Sequence, residues 1–385
     1  MSDLLIEEIP LGSPLLKEFV QVPWRLYRND PCWTPPLNSD YLGNRLLGSV
    51  GLLTPEHPYH RHADVTHFVA RRDSRLVGRV SAAINHRFND YYGSEIGFFG
   101  FFETIEDYEV AQALLDAARG WVKSRGMKLL RGPGEYSNAT HERQGILIEG
   151  FEHPPTLELT HNPPYYGEFL ERYGLRKAKD YVAYIINVKD IDAARVARVA
   201  KRIIERRGVE MPLIDLKDLG PAIRLVVEIY NEAWAQNWGF LPITPEEADM
   251  IAHSMEPVLI PEVLRIAFID GEPAAIFAGI PDFYVPLRPR WRWPLDTELV
   301  RLARVLIQRR RIRRMRSWFF GVRPKYRQIG LDAVLFNEVV QYLLSAGYEQ
   351  LEASLLLEDN DMIRRISDAM GGRHYKTWRI YEMDL

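Results

Sequence analysis

The chain repeats itself, and a repeat this long leaves few architectures open. Phe68-Val-Ala-Arg-Arg-Asp73-Ser-Arg-Leu-Val-Gly78 has its counterpart in Arg265-Ile-Ala-Phe-Ile-Asp270-Gly-Glu-Pro-Ala-Ala275, with Asp73 and Asp270 separated by 197 residues. Phe98-Phe99-Gly100 is matched by Phe319-Phe320-Gly321, and Ser124-Arg-Gly126 by Ser345-Ala-Gly347, now 221 apart. Gly174 with Gly371 and Tyr184 with Tyr381 return to the first spacing. Self-similarity at a fixed offset is the signature of a duplicated structural unit. The chain therefore reads as two units, residues 1–188 and 189–385, each with its own insertion of 24 residues. One insertion falls between Leu130 and Leu159, the other between Pro281 and Ser317. The shared scaffold does not need them, so specialised function is expected there.

The second unit carries the chemistry most legible in sequence. An apolar strand, Trp318 to Val322, leads into Arg323-Pro-Lys-Tyr-Arg327-Gln328-Ile329-Gly330-Leu331-Asp332 and then into a helix over Ala333–Ser345 with apolar positions 335, 336, 339, 340, 343 and 344. The first N–H groups of a helix have no intrahelical partner and lie at the positive end of its dipole, so this order predicts an anion site, with phosphate the fitting anion. Gly330 lets the backbone approach and Arg327 adds a fixed charge. A strand over Gln350–Leu357, Glu358-Asp359-Asn360, a short helix ending at Gly371-Gly372 and a last strand from Tyr375 to Met383 follow. In the first unit Gly100 precedes Glu103, Glu106, Asp107 and Glu109 with no glycine, a sequence that repels phosphate.

This segment resembles the GNAT superfamily of acyl-CoA-dependent N-acyltransferases, in which an Arg/Gln-x-x-Gly-x-Gly/Ala turn cradles the CoA pyrophosphate. The resemblance implies an α/β fold of two GNAT-like units, mixed twisted sheets flanked by helices and packed as a pseudo-dimer. It also implies acyl-CoA or acetyl-CoA as co-substrate, with the pyrophosphate along Val322, Arg327, Gln328, Ile329, Gly330 and Leu331. The thioester carbonyl then lies near Gly321–Val322, and Asn360 on the pantetheine side. The third small residue of the motif is replaced by Asp332, which opposes a pyrophosphate. The tyrosine that protonates the leaving thiolate in many members is Ser367 here; Tyr375 and Tyr381 are the replacement acids, and alternation along the strand puts both on one side. Over its full length the chain looks like the bacterial tandem-GNAT proteins, a group that includes sphingoid-base N-acyltransferases of the bacterial ceramide synthase type. Transfer of an acyl group to a primary amine, on a small molecule or a lipid, is the reading this implies. Two others stay open: an aminoacyl-tRNA-dependent transferase of the same doubled fold, and an acyl-CoA-binding protein without catalysis.

Composition narrows the setting. The 385 residues, 46% apolar and 26% charged, suit two packed domains. The first residues lack the basic and apolar regions of a secretory signal, and no apolar run reaches the ~20 residues that span a bilayer. A cytoplasmic protein is expected, at the inner face of the membrane if it meets lipid. Cys32, the one cysteine, excludes an internal disulfide and has no basic partner in its turn.

The insertions supply the remaining candidates. Between Arg288 and Arg316 there are eleven arginines against Asp296 and Glu298, with Trp291 and Trp293 ahead of a helix bearing Leu299, Leu302, Ala303 and Leu306. A solvated basic face, peripheral membrane or lipid contact through 288–316, and nucleic acid are the readings, with nucleic acid the least favoured. His141 and Glu142 are nominated as general bases for the incoming ammonium. Asn162 to Tyr166 and Asn237 to Phe240 offer amide and aromatic linings. His57, His60, His62 and His67 lack the spacing of a zinc site, and no metal is expected.

Overall fold

The computed structural model describes residues 3–45, 48–136, 143–214, 219–255, 259–290 and 296–385. The first half of the chain runs β1 (Leu4–Pro10), α1 (Leu16–Leu26), α2 (Asn38–Leu42), β2 (Ala63–Arg72), β3 (Arg75–Asn85), α3 (His86–Tyr92), β4 (Ile96–Thr104), α4 (Tyr108–Lys123), β5 (Leu129–Gly134), β6 (Ile146–Glu149), α5 (Tyr165–Arg172) and β7 (Arg176–Asn187). The second runs α6 (Ala193–Arg207), β8 (Val209–Glu210), α7 (Leu219–Ala233), α8 (Pro245–Met255), β9 (Leu264–Ile269), β10 (Glu272–Pro281), α9 (Tyr284–Leu287), α10 (Glu298–Gln308), β11 (Arg314–Val322), α11 (Leu331–Ser345), β12 (Gln350–Leu357), α12 (Asp361–Ala369) and β13 (Arg373–Asp384). The hairpin β2–β3, the parallel pair β4–α4–β5 and the closing α5–β7 recur as β9–β10, β11–α11–β12 and α12–β13. Repeat and α/β class are both as the sequence reads.

The chain packs as two compact units that are not consecutive halves. The first comprises Met1–Tyr181, Tyr284–Ile307 and Lys376–Leu385; the second comprises Val182–Phe283 and Gln308–Tyr375. Each half has exchanged the end of its last strand. In the first unit the sheet order is β1-β2-β3-β4-β5-β13, with β6 also on β13. β13 closes it antiparallel to β5, Tyr381 opposite Gly132. In the second unit the order is β12-β11-β10-β9-β8, with residues 182–187 of β7 next to β12.

Side-chain pattern explains each layer. β4 is apolar on both faces and buried almost throughout, as a central strand covered on two sides must be. α4 buries Val110, Ala111, Leu114, Leu115, Ala118 and Val122, a single helical stripe, and is capped by Asp107. It lies so close to β4 that a Cβ at Gly97 would meet Val122 at 2.5 Å. In the second unit α11 repeats the stripe with Leu331, Val334, Leu335, Val339, Val340 and Leu343. α7 and α8 cover the opposite face, where Ile229, Tyr230, Ile276 and Phe319 form the core.

Trp378 anchors the exchanged strand: it is fully buried, and its indole N–H donates to the Thr160 carbonyl at 2.9 Å. Trp378→Ala should lower the unfolding free energy by about 3–5 kcal/mol in urea melts. A loss well under 1 kcal/mol would mean that β13 contributes little to the first unit.

Candidate active site

β11 begins as an ordinary ladder strand and ends as half of an open fork. Arg314 to Ser317 pair in parallel with Gln350 to Ala353. Beyond that point β11 continues to Val322 and β12 to Leu357 with no further pair between them among the described residues. On its other edge β11 stays paired with β10 out to Val322, opposite Ala275. The register slips where Ala278 faces Phe319 and Gly279 faces Ser317, so Trp318 is a bulge residue. A bulge re-aims the strand and releases its backbone groups from the ladder. The fork therefore exposes strand N–H groups to whatever enters it.

The turn after β11 is anchored by its own basic side chains. Arg323 donates to the Pro273 carbonyl at 2.8 Å and to Glu232 at 2.9 Å, and also pairs with Glu228. Lys325 and the Tyr326 hydroxyl both donate to Glu272 at 2.6 Å. Arg327 is part of the same anchoring: its Nη2 donates to the Ala233 carbonyl at 2.7 Å. Gln328 and Gly330 then take φ of 66° and 89°. No described hydrogen bond uses the N–H groups of residues 328–332, and Gly330 caps α11 with no side chain filling the helix start. Left-handed residues in such a turn gather successive N–H groups into an anion-binding concavity, and the helix dipole adds to it. The left-handed φ favours glycine at 330, and a Cβ there would also push aside the tip of the Ile203 side chain, 2.5 Å away. Leu331 is buried as the first residue of the helix, and Asp332 follows it in the first turn.

The corresponding helix start in the first unit is occupied by protein carboxylates. Asp107 caps α4, accepting from the Glu109 N–H, and Arg72 pairs with both Asp107 and Glu109. The acidic run read from the sequence is thus built into the fold as a cap.

Beside the bulge lies an apolar cleft whose free space, counted out to its mouth, is about 570 Å³. Val226, Tyr230, Ile251, Ile280, Trp318 and Phe319 are among its walls. At the base of the fork is a buried polar network that sequence reasoning missed. Arg314 donates twice to the fully buried Asp282, at 2.9 and 2.5 Å, and Arg316 donates to Ser354 at 3.1 Å. Glu352, fully buried and in register with Arg316, lies beside the Tyr375 phenol. Burial first, and the Glu352 charge next, push the Tyr375 phenol well above its usual range, which keeps it protonated and a hydrogen-bond donor. The period-2 alternation of Arg314 and Arg316 on one strand and Glu352 and Ser354 on the next was the available signal.

The nominated residues fall into four groups. Gly321, Val322, Arg327, Gln328, Ile329, Gly330 and Leu331 lie together along the fork and turn. Asn360 caps α12, its side-chain oxygen accepting from the Ile363 N–H at 3.3 Å. Tyr375 and Tyr381 belong to different compact units: Tyr381 is buried in the first, where its hydroxyl donates to Glu171 at 3.0 Å. His141 and Glu142 lie outside the described residues, as do Trp291 and Trp293.

The first unit has a cleft of its own, about 660 Å³ to its mouth, with Arg79, Glu103, Glu135, Arg143 and His161 among its lining. Glu103 accepts from Tyr27 at 2.5 Å and Tyr166 at 2.8 Å, and burial raises its pKa. Arg143 donates to Glu135 at 2.9 Å and to Tyr284 at 2.5 Å. Asn162 clamps Leu147 through both ends of its amide. Burial also raises the Cys32 thiol, the reverse of an activated nucleophile.

Among the described residues no group of histidines, cysteines and carboxylates has the geometry to hold a metal ion. His67 has both ring nitrogens occupied, by the Ile9 carbonyl at 3.1 Å and the Tyr136 hydroxyl at 2.7 Å. Burial lowers its pKa from 6.5 to about 3. The unfolded chain then takes up a proton that the folded one excludes, so stability falls as pH drops from 6.5 towards 3. His67→Gln, which keeps a donor and an acceptor, should flatten that acid limb in urea melts taken across the window. An unchanged slope would assign the limb to other groups.

No family profile matches the chain. It is 31% identical over 398 residues to a bacterial ceramide synthase of Caulobacter vibrioides (strain NA1000 / CB15N), an alignment covering 98% of this chain and 97% of that protein. Protein YghO of Escherichia coli (strain K12) is 28% identical over 387 residues, covering 96% and 93%. Among solved structures, a tandem GNAT protein from the clavulanic acid biosynthesis pathway matches with a TM-score of 0.56 at 13% identity, over 99% of this chain and 98% of that one. A GCN5-related N-acetyltransferase from Sphaerobacter thermophilus matches at 0.53 and 12% identity, over 99% and 95%. At such identities the structural likeness speaks for the doubled GNAT fold alone.

Proposed function

The chain belongs to the bacterial ceramide synthase family of GNAT-type acyltransferases, and on that footing we propose that it transfers a fatty acyl group from acyl-CoA to the primary amine of a lipid. The observation that carries this reading is the conjunction of an open strand fork with five unoccupied N–H groups at the turn beside it. The pyrophosphate of the donor sits in the turn at residues 328–332, and the pantetheine arm lies in the fork. The apolar cleft next to the Trp318 bulge receives the start of the acyl chain on its apolar walls, which must part to admit a long chain, because the enclosed space is about 30 Å³, close to that of one water.

In this reading the neutral amine attacks the thioester carbonyl, the C–S bond breaks and the sulfur leaves as CoA thiolate, which takes up a proton; amide and CoA are the products. A freed N–H of β11 near Gly321–Val322 stabilises the oxyanion that forms on the way. Glu352, at the base of the fork, accepts the ammonium proton through water, with the protonated Tyr375 phenol beside its carboxylate. The relative's name supplies the acceptor class, since ceramide is an N-acylated sphingoid base. A lipid acceptor brings with it a peripheral encounter with a membrane through 288–316.

Calorimetric titration with CoA, acetyl-CoA and palmitoyl-CoA, followed by mass spectrometry of reactions containing sphinganine, tests the proposal. Palmitoyl-CoA should bind most tightly, Gly330→Val should weaken it at least about tenfold, and an N-acylated product should form. Failure of every CoA ester to bind would overturn the donor assignment and point to an aminoacyl-tRNA donor. Binding without product on lipid and small amines alike would leave an acyl-CoA-binding protein.

Glu352→Gln gives a second test. It should lower kcat by about 10²–10⁴ while leaving palmitoyl-CoA binding unchanged. Full activity in that variant would remove Glu352 from the mechanism.

A further inference from the structure

The helix α10 is built the opposite way round from its sequence reading. Its arginines turn inward: Arg301 is 1% exposed, with its guanidinium 5.1 Å from the ring centroid of Trp24. Arg304 is 9% exposed, donating to the carbonyls of Pro286 at 2.9 Å and Arg288 at 3.1 Å and pairing with Asp296 at 3.2 Å. Glu298, at the helix start, accepts from the N–H groups of Asn38 at 2.6 Å and Ser39 at 3.3 Å. These polar contacts, all within the first unit, fix the rotation of the helix about its axis. What they leave facing outward is apolar: Leu299, Leu306 and Ile307 are 58%, 65% and 77% exposed, and Ala303 lies between them. Positions 299, 303, 306 and 307 form one stripe at helical spacing. The helix then runs straight into Arg309, Arg310 and Arg311, all exposed and without an ion pair among the described residues.

We propose that the outward stripe of α10, Leu299, Ala303, Leu306 and Ile307, docks on an anionic lipid bilayer, with Arg309 to Arg311 meeting the headgroups. An apolar stripe flanked by unpaired cations is the pattern of a helix lying in the plane of a membrane surface. A second copy of this chain is the other occupant that would cover the stripe, and the dimer outcome of the test below distinguishes it. The charge calls instead for a surface of the opposite sign, and the sequence as a whole, at net −3, does not provide a general positive attraction. The inference rests on the lipid-amine reading, to which it adds the place and the orientation of the encounter: the buried arginines position the helix and the leucines insert.

Co-sedimentation with phosphatidylglycerol–phosphatidylcholine vesicles, with phosphatidylcholine vesicles as reference, tests it. The protein should bind the anionic vesicles and release as salt is raised. Changing Arg309, Arg310 and Arg311 together to Gln should weaken binding on the order of a hundredfold. Leu306→Glu with Ile307→Glu should weaken it comparably, and both variants should keep wild-type palmitoyl-CoA affinity and melting behaviour. Wild-type protein that ignores anionic vesicles, or a concentration-dependent dimer dispersed by Leu306→Glu, would overturn the proposal. Vesicle binding and CoA-ester binding are read separately, so a failure of the donor assignment is distinct from a failure of this one.

Discussion

Everything that makes the second unit chemically interesting follows from one pair of parallel strands that stop pairing. β11 and β12 hold register through Ser317 and Ala353 and then separate. Parallel neighbours buried in a sheet would ordinarily continue, because an unpaired buried backbone group is costly. The bulge at Trp318 is what allows the parting, since it turns the end of β11 away from its neighbour while keeping it on β10. The freed backbone of the fork is a ready set of donors for a substrate, and the turn that follows presents more of them. A ladder that closed fully would leave no room for either.

The two units show how one scaffold diverges by filling or clearing the same positions. At the helix start after the fourth strand, the first unit supplies a capping aspartate and an arginine that spans two acids, whereas the second leaves a bare left-handed glycine. The first unit instead concentrates its polar groups in an internal cleft, where Glu103, Glu135, Arg79 and Arg143 are held by tyrosine hydroxyls and by each other. Such networks tolerate little change, because removing one member leaves another buried and unsatisfied.

What could be read from sequence was what is local. The duplication is itself a sequence property, and strand, turn and helix at 314–345 follow from spacing within some thirty residues. Even there the bounds moved: β11 starts at Arg314 rather than near Trp318, and α11 begins at Leu331 because Gly330 caps it. What escaped was set at long range. The sequence shows Arg327 as a fixed charge, but not that the Ala233 carbonyl, 94 residues away, holds its guanidinium. Tyr375 and Tyr381 share a strand face on paper, but the strand passes from one compact unit into the other between them. The arginines of α10 were counted as surface charge, and only packing against Trp24, Asp296 and neighbouring carbonyls turns them inward. Nothing in a helical pattern says which of two amphipathic faces the rest of the protein will claim.

The exchanged strand ends bear on how the chain is made. The sheet of the first unit closes on residues 376–385, so a nascent chain with its first 181 residues already extruded still lacks the strand that pairs with β5. Domains commonly fold one after another during synthesis, the N-terminal one first. Here the earlier unit must wait through translation of the later one, with the edge of β5 and the pocket for Trp378 uncovered. That interval is a window for chaperone engagement or mispairing. It also makes completion of the first unit's sheet depend on the last residues of the chain.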